Sequence, residues 1–254
     1  MIGRVEKYLL SYIRENGAAH LTLIDPEKVT TASAAGMAAV AEKCNTAAIM
    51  VGGSTSMSTA HLDNVLKAIK KIVRIPVVLF PNNVTGISKY ADAIWFMSLI
   101  NSLDPYFLVG AQILSAPIVK KYGLEAIPLG YIIVGEGGTA SIIGRAAPIP
   151  FEKPELAVAH ALAAQYLGMR FVYLEGGSGV SKPVPPEMIQ MVRSQLSIPL
   201  IVGGGIKTGE QARKAVTSGA DLVVTGTIIE RDNRQSVIQE LIGNVNNAKP
   251  AVVK

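Results

Sequence analysis

Short apolar runs alternate with helical stretches along the whole chain, and most of the runs end in glycine, proline or a polar residue. Residues 2–15 predict a helix, because Val5, Leu9, Tyr12 and Ile13 recur at helical spacing. HLTLIDPEK (20–28) alternates as a strand does, and Pro26 stops it just after Asp25. Residues 32–43 are alanine-rich and helical, and residues 47–51 form a second strand that turns at Gly52-Gly53-Ser54. Ser56 or Ser58 then caps a helix running to about Val73. A third strand covers 76–80 and ends in PNNVTG, but no helical pattern separates it from the fourth strand, 93–97. SLINSLDPYFLVGAQILSAPIVKKYG predicts two helical pieces about Asp104-Pro105. After a long fifth strand, 126–134, the glycine- and proline-rich GEGGTASIIGRAAPIP predicts a mobile loop, and 154–167 a helix ending at Gly168.

The last third carries the strongest signal. FVYLEGGSG (171–179), PLIVGGGI (199–206) and DLVVTGT (221–227) are three strands, each followed at once by glycine. KTGEQARKAVTSGA lies between the second and third as a helix. A closing helix covers 236–245, and AKPAVVK reads as a frayed tail. Eight strands without a linker predict one domain over 1–254. Its fold is an α/β, modified (β/α)8 TIM barrel with helix three missing or replaced. Glycine turns at the carboxyl ends of strands six to eight predict a phosphate cradle, since glycine lets backbone N–H groups approach an anion closely. GGSG and GGGI lack the G-x-G-x-x-G spacing of a dinucleotide site.

Composition narrows the class. Only 17% of the 254 residues are charged, and a net charge of +5, without basic blocks, argues against nucleic acid. The single cysteine, Cys44, excludes a disulfide framework and reads as a packed thiol. The charged amphipathic N-terminus is not a secretory signal, and no run of apolar residues is long enough for a membrane span. A cytoplasmic setting follows.

Glycines bind but do no chemistry, so the strand ends supply the candidates. Asp25 is either a turn aspartate or a ligand for a hard cation, with Ser54 beside it; Mg²⁺ needs only one or two protein oxygens when a phosphate supplies others. Glu175 closes strand six and shares a face with Phe171 and Tyr173, with Tyr131 on the neighbouring strand. It is either a general base beside the phosphate or half of a salt bridge. His20, His61 and His160 have no metal-site spacing, and no G-x-S-x-G elbow is present. His20 reads as a core histidine. Trp95, Phe96, Leu99, Ile100, Ile132, Ile133 and Val134 offer an apolar side to the mouth.

Taken together, HLTLIDPEK, VGGST, PNN, YIIVGEGG, YLEGGSG, VGGGI and VTGT resemble the geranylgeranylglyceryl phosphate synthase family, including its heptaprenylglyceryl phosphate branch. The resemblance covers nearly the whole chain. It implies an Mg²⁺-dependent prenyltransferase that joins a polyprenyl diphosphate, a C20 donor by the length of the loops, to the C3 hydroxyl of sn-glycerol 1-phosphate. That is the first ether-bond step of archaeal membrane lipid synthesis. By motif it implies Asp25 and Ser54 as magnesium residues and Glu175 as the base. Tyr173, Leu174, Glu175, Gly176, Gly177, Ser178, Gly179, Gly204, Gly205, Gly226 and Thr227 then hold glycerol phosphate. It also implies a homo-oligomer, dimer or hexamer, and allows peripheral membrane contact. Some members carry a lysine where Leu23 stands, and Lys28 or Arg145 would have to replace it. The rival readings are a phosphosugar isomerase, aldolase or synthase on the same barrel, and a phosphate-binding scaffold without catalysis.

Overall fold

A computed structural model describes residues 2–53, 58–231 and 235–248. Eight parallel strands close a barrel in chain order: β1 (Ala19–Ile24), β2 (Ala48–Val51), β3 (Val77–Leu79), β4 (Ala93–Leu99), β5 (Glu125–Ile133), β6 (Phe171–Glu175), β7 (Leu200–Gly203) and β8 (Leu222–Thr225). The alternation seen in the sequence sorts their side chains into two layers. Leu21, Trp95, Tyr131, Phe171 and Tyr173 fill the interior, and Val172 and Leu174 face the surrounding helices. Trp95 meets Phe171 edge to face at 5.2 Å, plugging the barrel below the mouth.

Helix α1 (Arg4–Asn16) closes the bottom, with Val5 and Leu9 in the interior cluster. The Glu125 carboxylate accepts the N–H groups of Val5 and Glu6, at 2.7 and 2.8 Å, and so satisfies donors the first turn leaves open. Arg170 then holds Glu6 through two hydrogen bonds, at 2.6 and 2.7 Å. Helices α2 (Thr31–Lys43) and α3 (Thr59–Ile72) follow β1 and β2, and Ser58 caps α3 by accepting the His61 N–H. Ser56 lies outside the described residues, as does the tail from 249 onward. Cys44 ends α2 as a buried thiol.

No α-helix follows β3. A single 3-10 turn, Val84–Gly86, carries the chain to β4, as the sequence predicted. The next segment departs from expectation. Of the two predicted helical pieces only the second forms, as a wide turn at Tyr106–Gly110 leading into α4 (Ala111–Tyr122). The first piece is lost to Asn101. Its buried amide donates to the carbonyls of Ile133 and Ala147, both at 2.8 Å, and accepts the Ile133 N–H at 3.1 Å. That side chain extends the pairing of β4 with β5, so local helix propensity gives way. The loop predicted as mobile is anchored. It contains α5 (Gly138–Ile143), and bridges join Ser102 to Ala146 and Val134 to Ile149. Helices α6 (Pro154–Tyr166), α7 (Pro186–Gln195), α8 (Gly209–Thr217), α9 (Thr227–Arg231) and α10 (Gln235–Asn246) complete the ring. No helix among the described residues is long and apolar enough to cross a membrane.

His20 is the core histidine expected. It is fully buried between the Thr46 and Thr225 hydroxyls, at 2.9 and 2.8 Å, and burial pushes its pKa down to about 3. The folded state thus refuses a proton that the unfolded chain accepts below its ordinary value near 6.5. This group's stabilising contribution is whole above about pH 6.5 and falls by about 1.4 kcal/mol per pH unit down to about pH 3. Ring NMR signals of His20 should therefore stay those of a neutral imidazole at pH 5. A midpoint near 6.5 would show an open site.

Candidate active site at the mouth of the barrel

The strand register sets the site. Glu175 ends β6 and pairs with Ile133 of β5 and Gly203 of β7, so it stands at the rim with the glycine turns around it. Its Oε1 accepts the Gly177 N–H at 2.6 Å. The Tyr173 and Tyr131 hydroxyls face the same carboxylate. Burial pushes the Glu175 pKa up, and the hydrogen bonds from Tyr173, Gly177 and Tyr131 hold back part of that rise. Burial and the nearby Glu175 charge push both phenols well above their ordinary value, so they remain donors. The two tyrosine rings meet edge to face at 5.2 Å, and Phe80 contacts them at 5.4 and 5.8 Å. Glycine at 203 is what admits the Tyr173 hydroxyl, since a Cβ there would overlap it.

The three glycine turns do converge. Gly204 and Gly205 follow one another with φ of +82° and +71°, a conformation that glycine alone adopts without strain. The N–H groups of Gly179, Gly204 and Gly205 donate to no protein acceptor among the described residues. Ser178 and Thr227 bring their hydroxyls to 3.4 Å of each other, closing the first turn onto the third. Two predicted members play another part. The Gly176 N–H is spent on the Gly203 carbonyl and the Gly177 N–H on Glu175, so these two build the turn rather than the cradle. Leu174 points away, fully buried among the helices, because it is out of phase with Tyr173 and Glu175.

A cleft of about 480 Å³ runs from this cradle to the opposite side of the mouth. Gly204, Gly205, Gly226, Thr227 and Glu175 line one end. The other end is apolar, and the absent third helix opens it. Ile94 and Phe96 lie on the outer face of β4, which a helix would otherwise cover, and there they line the cleft with Val84, Ile87 and Phe107. Of the apolar residues predicted for the mouth, Trp95, Phe96 and Leu99 reach the cleft. Ile100, Ile132, Ile133 and Val134 are packing residues instead. Phe80 and Lys207 also line the cleft and were missed, although PNN directly after Phe80 marked that strand end.

Asp25 follows β1 and faces the same cleft, 6% exposed. Both of its readings have support. Its Oδ1 accepts the Glu27 N–H at 3.1 Å, as a turn aspartate does, while Oδ2 lies 3.0 Å from the Lys28 ammonium. Its carboxylate lies against the Gly53 backbone, where any Cβ would overlap it. No group of three His, Cys, Asp or Glu able to hold a metal exists among the described residues. One carboxylate therefore fits only a hard cation that takes its remaining oxygens from a substrate phosphate and water. Ser54 lies outside the described residues. Of the two basic candidates, Lys28 lines the cleft; Arg145 is 72% exposed and pairs with Asp104 at 3.4 Å.

A side chain at Gly204 would collide with the Glu175 carboxylate and the Gly177 amide, so it cannot probe the cradle alone. Thr227→Val is the cleaner test, because it keeps the shape and removes one hydroxyl from the cleft. A lost hydrogen bond to a charged group predicts an increase of about tenfold in KM for a phosphate ligand held there, with kcat little changed. Steady-state kinetics with each substrate varied in turn would measure it. An unchanged KM would place the phosphate elsewhere.

The geometry agrees with what the chain is similar to. The model of the PcrB family matches residues 11–245. Geranylgeranylglyceryl phosphate synthase from Thermofilum pendens is 54% identical over 98% of this chain and 96% of its own. The structure of (S)-3-O-geranylgeranylglyceryl phosphate synthase from Thermoplasma acidophilum, solved in complex with its substrate sn-glycerol-1-phosphate, superposes with a TM-score of 0.92. It is 38% identical and covers 98% of this chain and 100% of its own. Wild-type GGGPS from Thermoplasma volcanium superposes with a TM-score of 0.90 at 40% identity, over 95% of this chain and 98% of its own.

Proposed function

The chain belongs to the PcrB family, and from that premise we propose that it transfers a geranylgeranyl group from geranylgeranyl diphosphate to the C3 hydroxyl of sn-glycerol 1-phosphate. The observation that carries this reading is the single cleft with a polar glycine cradle at one end and an apolar groove at the other. A phosphosugar enzyme has no use for that groove.

In this reading the phosphate of sn-glycerol 1-phosphate rests on the N–H groups of Gly204 and Gly205 and the hydroxyls of Ser178 and Thr227. Its free hydroxyl then lies toward Glu175. The groove holds the prenyl tail, contributing about 0.8 kcal/mol per buried CH₂. Both ligands meet at the rings of Phe80, Tyr131 and Tyr173, which exclude water there. Holding the hydroxyl beside the allylic C1 is a positioning effect. The hydroxyl oxygen bonds to C1, the bond from C1 to the diphosphate breaks, and Glu175 takes the hydroxyl proton. The Tyr131 and Tyr173 hydroxyls and the Gly177 N–H hold the carboxylate in place for this. Asp25 is the residue that would hold Mg²⁺ there, and Ser54 is the second ligand proposed by motif. Bound Mg²⁺ supplies charge stabilisation for the departing diphosphate.

The test is incubation of the protein with radiolabelled sn-glycerol 1-phosphate, Mg²⁺ and prenyl diphosphates of several lengths. Label should move into an organic-soluble phosphate ether, most rapidly with the C20 donor. Label that stays aqueous with every donor would refute the assignment, and a faster C35 reaction would refute the chain length.

A further inference from the structure

The cradle is built from neutral donors. The N–H groups of Gly204 and Gly205 and the hydroxyls of Ser178 and Thr227 supply direction without net charge. Glu175 stands among them as a carboxylate, and an ionised carboxylate repels a doubly charged phosphate in a partly dry cleft. Lys207 is the one cation that lines the cradle end among the described residues. It follows the second glycine turn directly, and its Nζ lies 3.5 Å from the Ser181 carbonyl, just past the first turn. Its charge therefore spans two of the three turns. The backbone at this point is fixed, since the Lys207 N–H donates to Gln211 Oε1 at 2.7 Å. The side chain is exposed, and 3.5 Å is a long contact for an ammonium with a carbonyl. Among the described residues the ammonium meets no carboxylate. Glu136, on the loop that joins there, takes the Ser181 hydroxyl instead, at 2.6 Å. A flexible stem carrying a compact charge can exchange a weak neutral acceptor for a strong ionic one.

We propose that Lys207 selects the charge of the cradle's ligand: it leaves the Ser181 carbonyl and closes over the phosphate of sn-glycerol 1-phosphate, offsetting the repulsion between that dianion and Glu175. This rests on the reading of the glycine turns as the seat of that phosphate. The neutral donors then fix where the phosphate sits, and Lys207 sets how strongly its charge is favoured. The two contributions differ in their response to salt. Hydrogen bonds from N–H and hydroxyl groups are short-ranged, whereas attraction to an exposed ammonium is screened as ionic strength rises. Without Lys207 the charge left beside the phosphate is that of Glu175, and screening then weakens a repulsion.

The test is calorimetric titration of the intact protein with sn-glycerol 1-phosphate at low and high potassium chloride. Wild type should bind more weakly as salt rises. Lys207→Gln removes the charge and should weaken binding about five- to tenfold at low salt, the range for a lost contact to a charged group at an exposed site. Its affinity should stay level or improve as salt rises, the reverse of wild type. Lys207→Arg keeps the charge and should keep the wild-type salt response. Thr227→Val separates the two contributions, because it removes a neutral donor: binding should weaken while the salt response stays that of wild type. A lysine that merely ties the first turn to the second would weaken binding in Lys207→Gln without changing the salt response, and an idle one would change neither. Either result overturns the proposal. If wild type binds no sn-glycerol 1-phosphate, the placement of that phosphate falls first and the role of Lys207 falls with it. Circular dichroism controls for folding.

Discussion

Replacing Glu175 with glutamine is expected to lower kcat by about 10²–10⁴-fold, the usual range for a lost general base. Glutamine keeps the side-chain length and one acceptor oxygen for the Gly177 N–H, which wild-type Glu175 engages at 2.6 Å. The turn should therefore survive, and glycerol-phosphate binding should fall far less than kcat. The pH dependence carries the sharper signature. Burial raises the Glu175 pKa, so the carboxylate is protonated over a wider acidic range than an ordinary glutamate. It accepts a proton only when ionised. The wild-type kcat should then rise with pH through a midpoint above the ordinary value of 4.5, and that acidic limb should vanish in Glu175→Gln. A variant with near-normal kcat and only a raised KM would reduce Glu175 to positioning the hydroxyl. Water or the departing diphosphate would then receive the proton.

Asp25→Asn is expected to cost about 10²-fold or more at ordinary Mg²⁺ concentrations, because charge stabilisation by a metal is worth several kcal/mol. Asparagine retains an oxygen for the Glu27 N–H, so the turn after β1 should persist with the barrel intact. What it loses is the negative charge facing the cleft. Activity measured against Mg²⁺ concentration should show a curve displaced to much higher metal, with circular dichroism unchanged. An undisplaced curve would leave Asp25 as a turn residue, the role its Oδ1 already plays.

Most of the barrel was legible because its signals are local. The alternation in FVYLE put Phe171, Tyr173 and Glu175 on one face, and the interior cluster of the barrel contains that face. Glycine after β6, β7 and β8 marked the cradle, since close approach and positive φ at Gly204 and Gly205 require it. The missing third helix showed as an absent pattern between two strands. Its consequence did not show. That the outer face of β4, with Ile94 and Phe96, becomes a groove depends on which elements surround it in space. Asn101 misled for a similar reason: its hydrogen bonds go to Ile133 and Ala147, 32 and 46 residues away, and overrode a helical composition. The loop after β5 looked mobile from its glycines. Two of them instead allow tight packing: a Cβ at Gly137 would overlap the Ile133 and Ser141 side chains, and one at Gly138 would crowd the Ser178 backbone. Leu174 belongs to the continuous motif YLEGGSG, but strand alternation turns it away from the cleft.

The proposed reaction requires the cradle and the groove to meet at Glu175. A crystal structure of the protein with sn-glycerol 1-phosphate and a non-reactive C20 diphosphate analogue tests that most directly. The phosphate should accept hydrogen bonds from the Gly204 and Gly205 N–H groups. The free hydroxyl should lie within about 3 Å of the Glu175 carboxylate, and the prenyl chain should run over Ile94 and Phe96. A phosphate bound away from the glycine turns, or a prenyl chain lying outside the groove left by the absent third helix, would contradict it.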